Sequence, residues 1–150
     1  MSTLKEIRKM PISKLMNKEI ISVDRNETVA KVMKLLQKSD KTMAIIVKPR
    51  DEDDAYGIVT ERDILEKVID PGKDIYKDPW NTPVSEIMSK PLISVYPEIR
   101  IKYAIRLMRK TRIRHIAVME GSKLTGLLSE TDLISHIGDI LPEEGEKPAL

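Results

Sequence analysis

The chain has no cysteine and no phenylalanine, one tryptophan, and only two histidines, His115 and His136. The missing cysteine rules out disulfides, thiol catalysis and cysteine-built zinc sites. With four tyrosines and no phenylalanine, few ring faces are offered to the bases of a single strand. Charge is nearly balanced, 26 basic against 24 acidic side chains, so the molecule as a whole exerts no broad pull on nucleic acid or membrane. No apolar run approaches the roughly 20 residues that span a bilayer. The first ten residues carry no apolar stretch of the secretory kind, so the expected location is the cytoplasm. A glycine-rich phosphate loop, a nucleophile beside a base and a metal-ligand cluster are all missing as well. The acidic run from Asp51 to Asp54 does not have the spacing of a calcium loop and reads as a wet hairpin. The expectation is a chain that is not an enzyme, holds no metal and requires no cofactor.

What is present is repetition. Residues 11–16 read Pro-Ile-Ser-Lys-Leu-Met, and residues 83–88 read Pro-Val-Ser-Glu-Ile-Met, 72 positions later. At the same shift, 20–23 (Ile-Ile-Ser-Val) returns as 92–95 (Leu-Ile-Ser-Val). Residues 57–63 (Gly-Ile-Val-Thr-Glu-Arg-Asp) return 69 positions later as 126–132 (Gly-Leu-Leu-Ser-Glu-Thr-Asp). A repeat found first organises everything else. The drop from 72 to 69 is assigned to three extra residues in the hairpin loop of the first copy. At 150 residues with 41% apolar content, the chain suffices for one compact domain or two small ones with an aliphatic core.

Each copy reads strand, helix, strand, strand, helix. In the first copy, strands are expected at 20–23, 42–47 and 56–59, and helices after an Asn26 cap and at 60–68. Val29, Val32, Met33 and Leu36 fall on one helix face. In the second, strands are expected at 92–95, 115–119 and 124–128, and a helix at 129–137. Ile101, Ala104, Ile105 and Met108 share a face there. The divisions are a lead at 1–10, repeat 1 at 11–70, a linker at 71–82, repeat 2 at 83–139 and a tail at 140–150. The linker tryptophan, Trp80, is expected to pack onto a repeat. The fold class is α+β: two β-α-β-β-α units related by a pseudo-two-fold axis and packed sheet to sheet.

Both copies end a strand and begin a helix with a hydroxyl residue followed three positions later by aspartate: Thr60 with Asp63, Ser129 with Asp132. The plain reading is a helix cap with its reciprocal acid. The functional reading adds a ligand. A helix N-terminus offers N–H groups to an anion, and a carboxylate beside it can accept both hydroxyls of a ribose. Spacing alone does not choose between them. Arg112, Arg114 and His115 form a basic run ahead of a strand, which reads either as a solvated face or as an anion contact.

The ordered set of motifs, present twice over residues 11–138, resembles the CBS domain, named after cystathionine beta-synthase. The whole resembles a stand-alone tandem pair, or Bateman module. In that family the paired domains form a disc with two clefts, many of which bind AMP, ADP, ATP or S-adenosylmethionine. The resemblance implies ribose contacts at Asp63, Asp132, Thr60, Ser129 and Thr131. It implies phosphate contacts at Arg62, Arg114 and His115, and at Thr42, which with Met43 is aligned to the Arg114/His115 pair. Adenine contacts are implied at Ile20, Ile21, Ser22, Leu92, Ile93 and Ser94.

On this reading the chain is a regulatory module for an adenosyl ligand, acting on a partner protein and pairing as a homodimer, with no membrane partner. The alternatives are a ligand-free scaffold and, against the charge balance, a nucleic-acid-binding protein. The cleft at Asp132, with its basic pair, is expected to hold phosphorylated ligand more tightly than the cleft at Asp63.

Overall fold

A computed structural model describes residues 3–39, 44–72 and 76–142. The chain is mixed α+β, with two three-stranded sheets of the same order. Strands β1 (Ser22–Val23), β2 (Ala44–Val47) and β3 (Gly57–Thr60) form one; β4 (Ser94–Val95), β5 (His115–Glu120) and β6 (Lys123–Ser129) form the other. In each, the first two strands run parallel and the second hairpin pair antiparallel. A parallel pair needs a crossover. It is supplied by α2 (Val29–Lys38) in the first sheet and α4 (Ile101–Thr111) in the second. The short helix α1 (Leu4–Lys9) precedes the first sheet, α3 (Glu61–Ile64) follows it, and α5 (Glu130–Ile140) follows the second.

The helix faces read from the sequence are the faces that are buried. Val29, Val32 and Leu36 of α2, and Ile101, Ala104 and Met108 of α4, lie inside, with Met33 and Ile105 half-buried. The cap of α2 is Thr28 rather than Asn26: its Oγ1 accepts the Lys31 N–H at 3.2 Å, while Asn26 is an exposed turn residue. Within the lead, Leu4–Lys9 is a helix with a Thr3/Glu6 capping box and a buried Ile7. Trp80 is 66% exposed, with the Lys34 ammonium 5.7 Å from its ring centre, so it does not serve as a packing anchor. Residues 143–150 of the expected tail lie outside the described residues.

The packing units are not the sequence repeats. The described chain forms two compact units, one contiguous over 19–92, the other split between 3–18 and 93–142. The reason is visible in the backbone. Residues 83–89, which open the second repeat, pack in the contiguous unit: Val84 and Ser85 donate to the carbonyls of Glu27 and Arg25 at 2.7 and 3.1 Å. Residues 11–17, which open the first repeat, do the same in the split unit. There Ile12 and Ser13 donate to Ile99 and Pro97 at 2.8 and 3.1 Å. The first N–H of each crossover helix is met the same way. Val29 donates to Thr82 O and Ile101 to Met10 O, each at 2.9 Å, which satisfies part of the orphan set at a helix start.

Two glycines show how closely these segments lie. A Cβ on Gly57 of β3 would sit 2.6 Å from the Met88 sulfur, and one on Gly126 of β6 would meet Met16 more tightly still. The Met of each opening motif therefore covers the Gly of the closing motif, but from the other repeat. Each unit has its own aliphatic core. Ile45, Val47, Val59, Val84 and Ile87 are among the residues of one; Ile12, Ile101, Ile116, Val118 and Leu128 are among those of the other.

Strand register also revises the match between the copies. Ala44 pairs with Thr60 as His115 pairs with Ser129. The counterpart of His115 is thus Ala44, and that of Arg114 is Met43, one position beyond the Thr42/Met43 match expected from a constant shift of 72. One residue of the length difference falls between crossover helix and strand, and two fall in the hairpin. Thr42 and Met43 themselves lie outside the described residues.

Candidate functional site

In the split unit, β6 runs straight into α5. The Ser129 Oγ accepts the Asp132 N–H at 3.0 Å, and the Asp132 carboxylate accepts the Ser129 N–H at 3.3 Å. This is a complete capping box. His115 is the strand partner of Ser129, and the Arg114 carbonyl accepts the Glu130 N–H at 3.2 Å. The backbone of Arg114 and His115 is therefore held against the helix N-terminus that carries Ser129 and Asp132, where the helix contributes partial positive charge. Arg114 and Thr131 are exposed; Asp132 and His115 are half-buried. Among the described residues, no cation pairs with Asp132.

The contiguous unit repeats the box at Thr60 and Asp63 and adds to it. The Asp63 Oδ2 accepts the Thr60 N–H at 2.9 Å and the Thr60 hydroxyl at 3.2 Å. Its Oδ1 accepts the Ser89 hydroxyl at 3.3 Å and lies 3.0 Å from the Lys67 ammonium. Lys67 donates at the same time to Ile87 O at 2.9 Å. Asp63 is buried, 8% exposed. Neither Lys67 nor Ser89 was singled out from the sequence. Lys67 had a signal, being four residues beyond Asp63 on a helix. Ser89 had none, because it follows the opening motif of the other repeat. Beyond Ile64 the helix continues as a π-helical turn, Leu65–Ile69, whereas α5 stays α-helical. Arg62 is exposed and stands 3.9 Å from Glu66, a loose surface pair.

The expected adenine contacts divide. Ile21 and Ile93 each offer a carbonyl to the central strand, accepting from Ile46 and Ala117 at 2.9 Å. Ile20, Ile21 and Ile93 are half-buried, and Ser22 and Ser94 exposed. Leu92 belongs to the contiguous unit, donating to Tyr56 O at 2.9 Å, whereas Ile93 and Ser94 belong to the split unit.

The acidic hairpin is organised rather than loose. Asp54 accepts the Arg50 N–H at 2.8 Å and pairs with Lys90. The hydrogen bond from Lys90, then that from Arg50, hold the Asp54 carboxyl well below the usual carboxylate range. Among the described residues, no group of acids and histidines could hold a metal ion, and no helix is long and apolar enough to cross a membrane.

Fold and motifs together define a tandem of β-α-β-β-α modules whose last helix is capped by a hydroxyl–aspartate pair. The CBS domain family model matches residues 12–70 and 84–139, and the chain belongs to that family. It is 31% identical over 137 residues to the uncharacterized protein MJ1404 of Methanocaldococcus jannaschii, covering 86% of this chain and 32% of that protein. It is 33% identical over 114 residues to the mitochondrial CBS domain-containing protein CBSX3 of Arabidopsis thaliana, covering 75% of this chain and 53% of that protein. The chain thus spans a third to about half the length of these relatives. Among solved structures, the hexameric CBS-CP12 protein of bloom-forming cyanobacteria superposes with a TM-score of 0.77 at 36% identity, covering 93% of this chain and 76% of that one.

Proposed function

We propose that the protein is a regulatory module that binds an adenosyl ligand, AMP, ADP, ATP or S-adenosylmethionine, and conveys its occupancy to a partner protein. Tandem CBS domains are in general regulatory and often bind such ligands. The observation that carries the reading is the grouping of Asp132, Ser129, Arg114 and His115 at the start of α5. Asp132 takes the ribose diol, with Ser129 and Thr131 beside it. The phosphate lies toward Arg114, whose planar fork suits it, with His115 alongside. Adenine rests against Ile93 and Ser94. The partners needed are a small molecule and a regulated protein, and we place the protein in the cytoplasm. Self-association as a homodimer accords with the prevalence of two-fold pairing and with the hexamer formed by the cyanobacterial relative.

A ligand-free scaffold is the competing reading. It is favoured by the fact that both hydroxyl–acid pairs already close on themselves as caps. Titration separates the two. A ligand at 100 times its dissociation constant adds about 2.7 kcal/mol to the folded state, an easily read rise in melting temperature. Asp132→Ala should weaken that binding by about 1.5–3 kcal/mol. Arg114→Ala should weaken AMP more than adenosine. No shift with any of the four ligands would leave the scaffold; unchanged affinity on removing Asp132 would return that acid to a capping role.

A further inference from the structure

Asp63 and Asp132 are equivalent by motif, yet only Asp63 is held by a second set of groups. A ribose diol needs free carboxylate lone pairs turned towards it. Of the two Asp63 oxygens, Oδ2 receives the Thr60 N–H and hydroxyl, and Oδ1 receives the Ser89 hydroxyl and the Lys67 ammonium. Lys67 is itself fixed by the Ile87 carbonyl, so it bridges α3 to the segment that opens the second repeat. With Asp63 buried, a diol would have to displace a charge-assisted contact and leave an ammonium with only one partner. Sixty-nine positions on, the place of Lys67 is taken by His136, and no ion pair with Asp132 occurs among the described residues.

We propose that Lys67 closes Asp63 to ligand, making it a structural carboxylate, so that an adenosyl ligand is read at Asp132 alone and residue 67 or 136 sets which copy is open. The ligand part rests on the function proposed above; the lock itself does not. Two observations support the division of roles. The cation next to Asp63 is turned onto the carboxylate, whereas Arg114 beside the Asp132 box is exposed and unpaired among the described residues. And the register gives the Asp63 copy Ala44 where the Asp132 copy has His115, preceded in the sequence by Met43 instead of Arg114.

The test exchanges the two residues. Adenosine, which has no phosphate, and AMP are titrated calorimetrically into the wild-type chain, Lys67→His, Lys67→Met and His136→Lys. The expected results are one site per chain in the wild type, a second site in either Lys67 variant, and adenosine affinity lowered about tenfold or more in His136→Lys, the worth of a charge-assisted hydrogen bond. Asp63→Asn should leave affinity within about twofold, whereas Asp132→Asn should lower it about tenfold or more. Two equal sites in the wild type, or loss of binding in Asp63→Asn, overturns the proposal. A ligand-free arm keeps the lock testable if neither nucleoside binds, the outcome that sinks the adenosyl reading for these probes. Melting of Asp63→Asn, Lys67→Met and the double variant should show the double change costing clearly less than the sum of the singles. Strict additivity refutes the lock.

Discussion

The contiguous and the split unit close with the same residue types, Thr60 with Asp63 and Ser129 with Asp132, and surround the carboxylate differently. In the first, the acid is one node of a staple that also takes in Lys67, Ser89 and Ile87. In the second, it takes a cap N–H, and the position one turn later holds a half-buried His136 rather than a lysine. A repeat thus preserves backbone geometry more faithfully than chemistry. The cap is needed by any helix that starts at the end of a strand, whereas a single residue one turn later decides whether the carboxylate is available to anything else.

The comparison can be broken in order of expected effect. Asp63→Ala removes the acid half of the capping box and strips Lys67 and Ser89 of their acceptor, so it should cost about 3 kcal/mol by denaturant melting. Asp132→Ala, which removes the acid half of its box alone, should cost ~1 kcal/mol. Equal losses would show that the staple adds nothing. Next, Gly126→Ala and Gly57→Ala should each destabilise by about 1–3 kcal/mol through overpacking. The Gly126 change should be worse, because the Met16 Cγ would stand 2.8 Å from the new methyl where the Met88 Cγ stands at 3.3 Å from its equivalent. Met16→Ala should restore much of the loss in the first, and Met88→Ala in the second. Failure of that rescue would mean the contacts are not the cause.

A third difference is acid sensitivity. The Asp54 carboxyl is depressed in the folded chain, first by Lys90, so its contribution is present above the unfolded carboxylate pKa and fades as pH falls through the acid range. The split unit has a tight Gly121 turn at the corresponding hairpin, with no such pair among the described residues. Amide protection, taken relative to intrinsic exchange at each pH, should therefore fall on acidification more in residues 44–60 than in 115–129. Asp54→Asn should remove the difference. The smallest effect is at Arg112, which ends α4 with φ of 58°, a left-handed value that suits glycine. Arg112→Gly should be neutral to stabilising by about 0.5 kcal/mol, the relief of Cβ strain being offset by added chain entropy.

Much of this could be read from the residues, for identifiable reasons. Helix faces such as Val29/Val32/Leu36 follow from period, and the Thr60/Asp63 and Ser129/Asp132 pairs from local capping chemistry. Both depend on residues within one turn of each other. What escaped reading depends on distant partners. The two opening motifs are so alike that nothing in their spacing says which copy each will cover, and that choice puts Met88 on Gly57 and Ser89 beside Asp63. The one-residue slip at the start of β2 was hidden for a related reason. A count along the chain assumed a single insertion point, whereas strand pairing places the extra residues in two. Thr28 displaced Asn26 as the cap of α2 because the helix begins where Val29 and Ala30 find acceptors in Thr82 and Pro79, not at the first residue with a suitable side chain.

The crossed placement of the opening motifs also sets a timetable for biosynthesis. The unit over 19–92 has all its parts in hand once residue 92 has left the ribosome. The other cannot close until residues 93–140 arrive, so its first segment is made earliest and used last. At roughly 5–20 residues per second that is a wait of seconds. Throughout it Ile7, Ile12 and Leu15, each at most 2% exposed in the finished protein, have no core to enter. The loop to be closed then holds a folded neighbour instead of slack chain, which shortens the search the two segments must make. A nascent chain stalled just after residue 92 has emerged should accordingly carry one finished module and an exposed apolar segment over 7–15, and that segment is where a chaperone would be found.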